Sequence, residues 1–245
     1  MATASLYGLA YSPWTERARW ALDFHGVRYR YHEHVPMLGE PLLRWHAKPA
    51  KGVAATVPLF VDGRGGRWMD SMAIIEHADT LGARPLITDL SATRALAAKI
   101  DKVLHGVRGR VTSRIVADPE ALRESATAAV PAWMAGLASP VAALGARFIA
   151  MKHNVSLDQA RESTAALRAL LTELAPTVDT DAPHTRESLT AGDILLATLL
   201  QTVEPVVAAH IALGPALRRA WSERELADEF AGLVAWRDAV YRAAR

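Results

Sequence analysis

Strand and helix signals alternate through the first third of the chain, and only helical signals follow. Residues 5–10 form a short apolar run that predicts a strand, and apolar residues at helical spacing follow from Pro13. Residues 27–35 alternate apolar and charged side chains, which predicts a strand, and residues 40–46 predict a short helix. Two apolar runs around a Gly-rich turn at residues 62–66 predict a β-hairpin, with a helix over residues 71–80. The order βαβ then ββα predicts a four-stranded α/β sheet.

The rest of the chain is rich in Ala and Leu at helical periodicity. We therefore predict an α/β domain over residues 1–81, a linker over 82–90 and an all-helical bundle over 91–245. Thr190 and Asp193 predict a capping box before a helix that is apolar on all sides, which places that helix at the centre of the bundle. Ser156 and Gln159 predict a second capping box.

Composition narrows the possible functions. Lys and Arg total 28 against 26 Asp and Glu, so net charge indicates neither nucleic-acid nor membrane binding. Arg108, Arg110 and Arg114 cluster, which we interpret as a solvated helix face. The chain contains no cysteine, which excludes disulfides, thiolate metal sites and redox catalysis by a protein thiol. The sequence shows neither a signal peptide nor a membrane-spanning run, so a cytoplasmic location is expected.

Ser12 stands where the first predicted strand ends and the first helix begins. The positive end of a helix dipole favours an anion at such a junction. A hydroxyl donor beside a bound thiol would stabilise its thiolate, the reactive form. A plain helix N-cap is the structural alternative for Ser12, and both roles can coexist.

Three groups of short motifs carry a family resemblance. The first is LYG at residues 6–8 with SPW at 12–14 and RxRxAL at 17–22; the second is TVPLFVDG at 56–63 with DSxAI at 70–74; the third is LTAGDI at 189–194. In this order and spacing the motifs resemble glutathione S-transferases, in particular serine-type, bacterial-like members. The resemblance implies a thioredoxin-like N-terminal domain followed by a helical C-terminal domain.

The resemblance also implies a glutathione site. Ser12 would contact the thiol, and Val57 before a cis-Pro58 would present its backbone to the cysteinyl unit. Asp70 and Ser71 would hold the γ-glutamyl end, with Ser71 also able to cap the next helix. Tyr7 and Tyr11 are rival thiol donors, although Tyr7 fits a core position better.

The glycine end of glutathione cannot be placed, because the loop around Lys51 is longer than in the family. No metal is expected, since His32, His34 and His46 lack accepted ligand spacing.

The function implied by this resemblance is transfer of the glutathione thiolate to a small apolar electrophile, by a homodimer. Two alternatives stay open: a catalytically idle protein that binds glutathione or a hydrophobic ligand, and a glutathione-dependent isomerase, ether-cleaving enzyme or dehalogenase. The absence of cysteine argues against the family's thiol-transferase branch, which uses a cysteine at the position of Ser12.

Overall fold

The computed structural model describes residues 3–35, 39–129, 157–180 and 184–245. The N-terminal part alternates strands and helices in the predicted order. Its elements are β1 (Ala4–Gly8), α1 (Pro13–Phe24), β2 (Tyr29–Glu33), α2 (Glu40–Ala47), β3 (Leu59–Val61), β4 (Arg67–Trp68) and α3 (Ser71–Asp79).

The four strands form one mixed sheet in the order β2-β1-β3-β4. The β1–β2 pair is parallel, whereas β3 runs antiparallel to both β1 and β4. Side chains alternate between the faces, so Leu6 and Phe60 join the core that includes α1 and α3, whereas Tyr7 and Leu59 pack with α2. This is the four-stranded sheet that the sequence predicted, in the thioredoxin-like arrangement that the family resemblance implied.

Helices make up the described structure beyond this sheet. They are α4 (Leu90–Ala117), α5 (Pro119–Ala129), α6 (Leu157–Leu174), α7 (Ala191–Leu199), α8 (Pro215–Trp221), α9 (Arg224–Glu229) and α10 (Ala231–Ala244). Short 3-10 turns follow α6 and α7. No helix within the described ranges combines the length and apolarity needed to cross a membrane.

Helix α7 is the buried centre of this helical part, as predicted. Every residue from Ile194 to Leu199 is buried. Thr190 Oγ1 accepts from the Asp193 backbone N–H at 3.2 Å, and Asp193 Oδ2 accepts from the Thr190 N–H at 2.8 Å, which completes the capping box. The second predicted box includes Ser156, which lies outside the described residues.

The interpretation of the arginine cluster as a solvated face is wrong for Arg110. Arg110 is buried and pairs with Glu223 at 3.0 Å, and Arg114 reaches the same carboxylate at 2.6 Å. Glu223 precedes α9, and contacts between helices distant in sequence leave no local periodicity to detect. Only Arg108 of the three lacks a described ion pair.

Candidate functional site

Ser12 lies at the N-cap of α1, and its hydroxyl makes no capping hydrogen bond. Its backbone is extended, with φ −77° and ψ 128°, and its N–H donates to the Leu9 carbonyl at 2.9 Å. Pro13, the first helical residue, has no N–H to offer a ligand. The Ser12 side chain is therefore a polar donor at the positive end of α1 that the helix itself does not use.

Ser12 lines a cavity of about 190 Å³ that lies between the β1–α1 connection and the helical part. Most of its described lining is apolar, and α4 contributes the longest wall. This wall includes Leu104, Val107, Val111 and Ile115. A cavity of this composition suits a small apolar ligand.

The two rival tyrosines lie in different places. Tyr11 lines the cavity with Ser12, and its ring lies 6.0 Å from that of Trp221. Burial and the charge of Glu33 raise the pKa of Tyr11 to about 12, although a hydrogen bond with Ser125 opposes this. Tyr11 therefore carries its proton at neutral pH and can donate a hydrogen bond.

Tyr7 lies on the face of the sheet that packs against α2, away from the core formed with α1 and α3. Its ring stacks on that of His32, with centroids 4.7 Å apart, and makes a tilted contact with the ring of His46, with centroids 4.6 Å apart. Tyr7 is buried and does not line the cavity, as its strand position suggested. The residues described contain no group of three or more metal-ligating side chains.

The peptide bond between Val57 and Pro58 is cis, as the family resemblance implied. Pro58 is buried and Val57 is partly exposed, immediately before β3. Lys51 is exposed in the loop that leads to them.

Asp70, and not Ser71, caps α3, which corrects the expected role of Ser71. Asp70 Oδ1 accepts from the backbone N–H groups of Met72 at 2.6 Å and Ala73 at 3.4 Å. Ser71 is the first helical residue and is buried. Asp70 is the last residue before the helix, where an Asp side chain can accept from the otherwise unpaired N–H groups of the first turn.

A buried cation lies beside this carboxylate and was missed by sequence reasoning. Arg17 is fully buried, and its Nη1 donates to Asp101 Oδ1 at 2.6 Å, while Nε donates to Thr198 at 3.0 Å. Burial lowers the pKa of Arg17, whereas the charges of Asp101 and Asp70 raise it. Trp14 Nε1 also donates to Asp101, at 2.9 Å. This network joins α1 to α4 and α7 just behind the cavity.

Three comparisons bear on this geometry. Residues 6–85 match the model of the glutathione S-transferase N-terminal domain. No curated protein matches the sequence.

Solved structures match nearly the whole chain at low identity. A glutathione S-transferase from Methylobacillus flagellatus with glutathione bound is 15% identical over 99% of this chain and 96% of that chain, with a TM-score of 0.57. A glutathione S-transferase from Methylobacterium radiotolerans in complex with glutathione sulfonate is 17% identical over 98% of this chain and 95% of that chain, with a TM-score of 0.55. Glutaredoxin 2 from Salmonella typhimurium in complex with glutathione is 15% identical over 100% of both chains, at 0.50.

The fold and the cis-proline site thus define a protein with the glutathione S-transferase fold. More particularly, residues 6–85 are an N-terminal domain of the glutathione S-transferase family. The predicted fold is confirmed, and the match to the family extends over residues 6–85. The serine-type, bacterial-like assignment and the contacts of individual residues with glutathione stay predictions.

Proposed function

We propose that this protein transfers glutathione, through its sulfur, to a small apolar electrophile. The observation that carries the proposal is the position of Ser12 at the N-terminus of α1, where it lines a mostly apolar cavity and its hydroxyl makes no capping hydrogen bond. The glutathione-bound relatives of the same fold support glutathione as the thiol.

In the proposed mechanism, the Ser12 hydroxyl donates a hydrogen bond to the sulfur of glutathione. This bond and the dipole of α1 favour the thiolate, whose proton passes to solvent. Lowering a thiol pKa by about two units requires about 2.7 kcal/mol, which a hydrogen bond to a charged acceptor and a helix dipole can supply.

The thiolate then attacks an electrophilic carbon held against the α4 wall. A carbon–sulfur bond forms, and a leaving group departs with its bonding electrons; in an addition, the substrate instead takes a proton from water. Tyr11, protonated throughout, is the second donor available in the cavity.

The γ-glutamyl end of the tripeptide is assigned to the N-terminus of α3. Asp70 would pair with the ligand's ammonium, and the Ser71 backbone N–H would donate to its carboxylate. The cysteinyl backbone would pair with Val57 before the cis bond to Pro58. A cytoplasmic location and a homodimer belong to the same proposal.

Titration calorimetry with millimolar glutathione tests the ligand, and turnover with a panel of electrophiles tests the transfer. Asp70→Asn is the sharpest site variant, because asparagine is as good an N-cap and only the charge is lost. We expect the glutathione affinity of the folded protein to fall roughly 10-fold. Asp89→Asn, the same change at the N-cap of α4, is the matched control.

The absence of heat and of thermal protection with glutathione would refute the proposal. Binding without turnover of any electrophile would favour the alternative of a non-catalytic binding protein. Turnover only with substrates that isomerise, lose halide or contain an ether would assign it to one of those classes.

A further inference from the structure

Arg108 is one of only two charged residues among the described residues that line the cavity. The other, Glu40, lies at the N-terminus of α2, and its Oε1 is 3.6 Å from His34 Nε2. Arg108 projects from α4, the apolar wall that faces Ser12. Arg108 is thus the one charged side chain among the described residues of α4 that line the cavity.

The charge of Arg108 has no described counter-charge. Arg110 and Arg114, on the same helix, both pair with Glu223, whereas no described carboxylate lies within ion-pair distance of Arg108. Within the part of the chain that the structure describes, the charge of Arg108 is therefore unmatched.

The environment of Arg108 is also partly dry. Arg108 is exposed at the mouth of the cavity when its whole surface is considered, yet burial by the atoms around its guanidinium lowers the pKa of this group. Its Cζ lies 5.8 Å from the centroid of the Trp14 ring, within range of a cation–π contact. Trp14 is itself fixed by its bond to Asp101, which gives the guanidinium a rigid neighbour.

From this arrangement we infer that Arg108 binds an oxyanion on the acceptor substrate. The acceptor class is an apolar electrophile that carries one carboxylate or sulfonate group. This inference rests on the proposed function for its chemistry, because it names the acceptor of that same site.

The cation has a clear purpose in such a reaction. A thiolate and an anionic electrophile repel each other, and a guanidinium beside the apolar wall offsets that repulsion and orients the electrophile by a two-pronged hydrogen bond. The oxyanion is a spectator: the carbon–sulfur bond forms elsewhere on the molecule, and the leaving group departs with its electron pair. The fixed charge thus selects substrates without entering the bond changes.

Binding of a matched probe pair tests this inference without requiring activity. The probes are fluorescent anilinonaphthalene sulfonate and its uncharged parent, anilinonaphthalene, titrated into wild type, Arg108→Met and Arg108→Lys. We expect Arg108→Met to lower the preference for the sulfonate over the neutral probe about 10-fold at low salt. Arg108→Lys should restore most of this preference. Arg28→Met removes an equal charge from an exposed position outside the cavity and should leave the preference unchanged.

A second arm uses turnover of chlorodinitrobenzoate against chlorodinitrobenzene with glutathione. The ratio of their kcat/KM values should fall about 10-fold in Arg108→Met and stay constant in Arg28→Met. If neither these substrates nor any electrophile of the panel reacts with wild type, the proposed function fails, and the binding arm still decides the inference. Equal loss of both probes in Arg108→Met, or no loss of either, would overturn it.

Discussion

Arg17 of α1 and Asp101 of α4 form an ion pair of 2.6 Å in which the arginine is fully buried. Asp101 also accepts a hydrogen bond from Trp14 Nε1, so the same carboxylate oxygen contacts two residues of α1. The pair fastens the N-terminal sheet domain to the helical part at the back of the cavity.

We expect Asp101→Asn to destabilise the protein by roughly 2–4 kcal/mol, because it leaves a buried guanidinium without its counter-charge. Urea unfolding measures the change. Glu173→Gln is the matched control. Glu173 is an exposed carboxylate on α6 that pairs with Lys99, a residue of α4 like Asp101. The control should change the free energy of unfolding by less than about 1 kcal/mol. Equal effects of the two variants would show that Arg17 does not depend on Asp101.

Ser12→Ala should lower turnover roughly 10- to 150-fold, since a hydrogen bond to a charged acceptor contributes about 1.5–3 kcal/mol. Glutathione affinity should change much less, because the contacts that hold the tripeptide lie elsewhere. The pKa of the bound thiol, followed by thiolate absorbance, should rise. The chain has no cysteine, so no protein thiolate contributes to that absorbance.

Tyr11→Phe is the comparison variant for Ser12→Ala, because Tyr11 lines the same cavity. If it abolishes activity while Ser12→Ala keeps the full rate, the tyrosine is the thiol donor. If neither variant alters an existing activity, backbone groups and the dipole of α1 hold the thiolate.

Asp193→Ala should lower the free energy of unfolding by roughly 0.5–2 kcal/mol, because it removes half of the capping box of the buried helix α7. Glutathione affinity of the folded protein should not change. Glu162→Ala, at an exposed position on α6, controls for loss of a charge. A lost affinity with an unchanged melting temperature would mean that Asp193 belongs to the ligand site.

High pH should destabilise the protein through its tyrosines. Burial is the main cause of a raised pKa at all five: Tyr7, Tyr11, Tyr29, Tyr31 and Tyr241. A raised folded pKa gives stability that is present below the unfolded value, near 10, and is lost as pH rises through the folded value. For Tyr11 this window runs from 10 to about 12. Tyrosinate absorbance and unfolding free energy, measured against pH, check this. Normal titration of every tyrosine near pH 10 in the folded protein would contradict it.

A homodimer is expected from the family resemblance, with the N-terminal domain of one subunit against the helical part of the other. On α2, Trp45 is 67% exposed and Leu42 is 56% exposed, and an apolar surface of this kind is suited to burial between subunits. Light scattering should give about twice 26.5 kDa. A mass near 26.5 kDa across a wide concentration range would refute the dimer.

The order of elements could be predicted because it depends on local signals. Alternation marked β2, the Gly-rich turn marked the β3–β4 hairpin, and Thr190 with Asp193 marked the start of α7. Each signal lies within a few residues of the element that it defines.

Long-range electrostatics could not be predicted in this way. Arg17 meets Asp101 across 84 residues of sequence, and Arg110 meets Glu223 only once α4 and the start of α9 are packed together. The prediction of Ser71 as the N-cap of α3 was wrong for a local reason, because Asp70 and Ser71 are adjacent residues of types that both favour that position. The cavity itself, with Arg108 on its wall, follows from packing alone.

The two walls of the cavity come from separate stretches of the gene. Ser12 and Tyr11 belong to the stretch that matches the family's N-terminal domain, whereas Arg108 and Val111 lie beyond it on α4. After a gene duplication, substitutions on α4 could change the preferred acceptor without disturbing the residues assigned to the tripeptide. Under the proposed function, descendants of this protein would diverge in their acceptor substrates while keeping the same residues for the tripeptide.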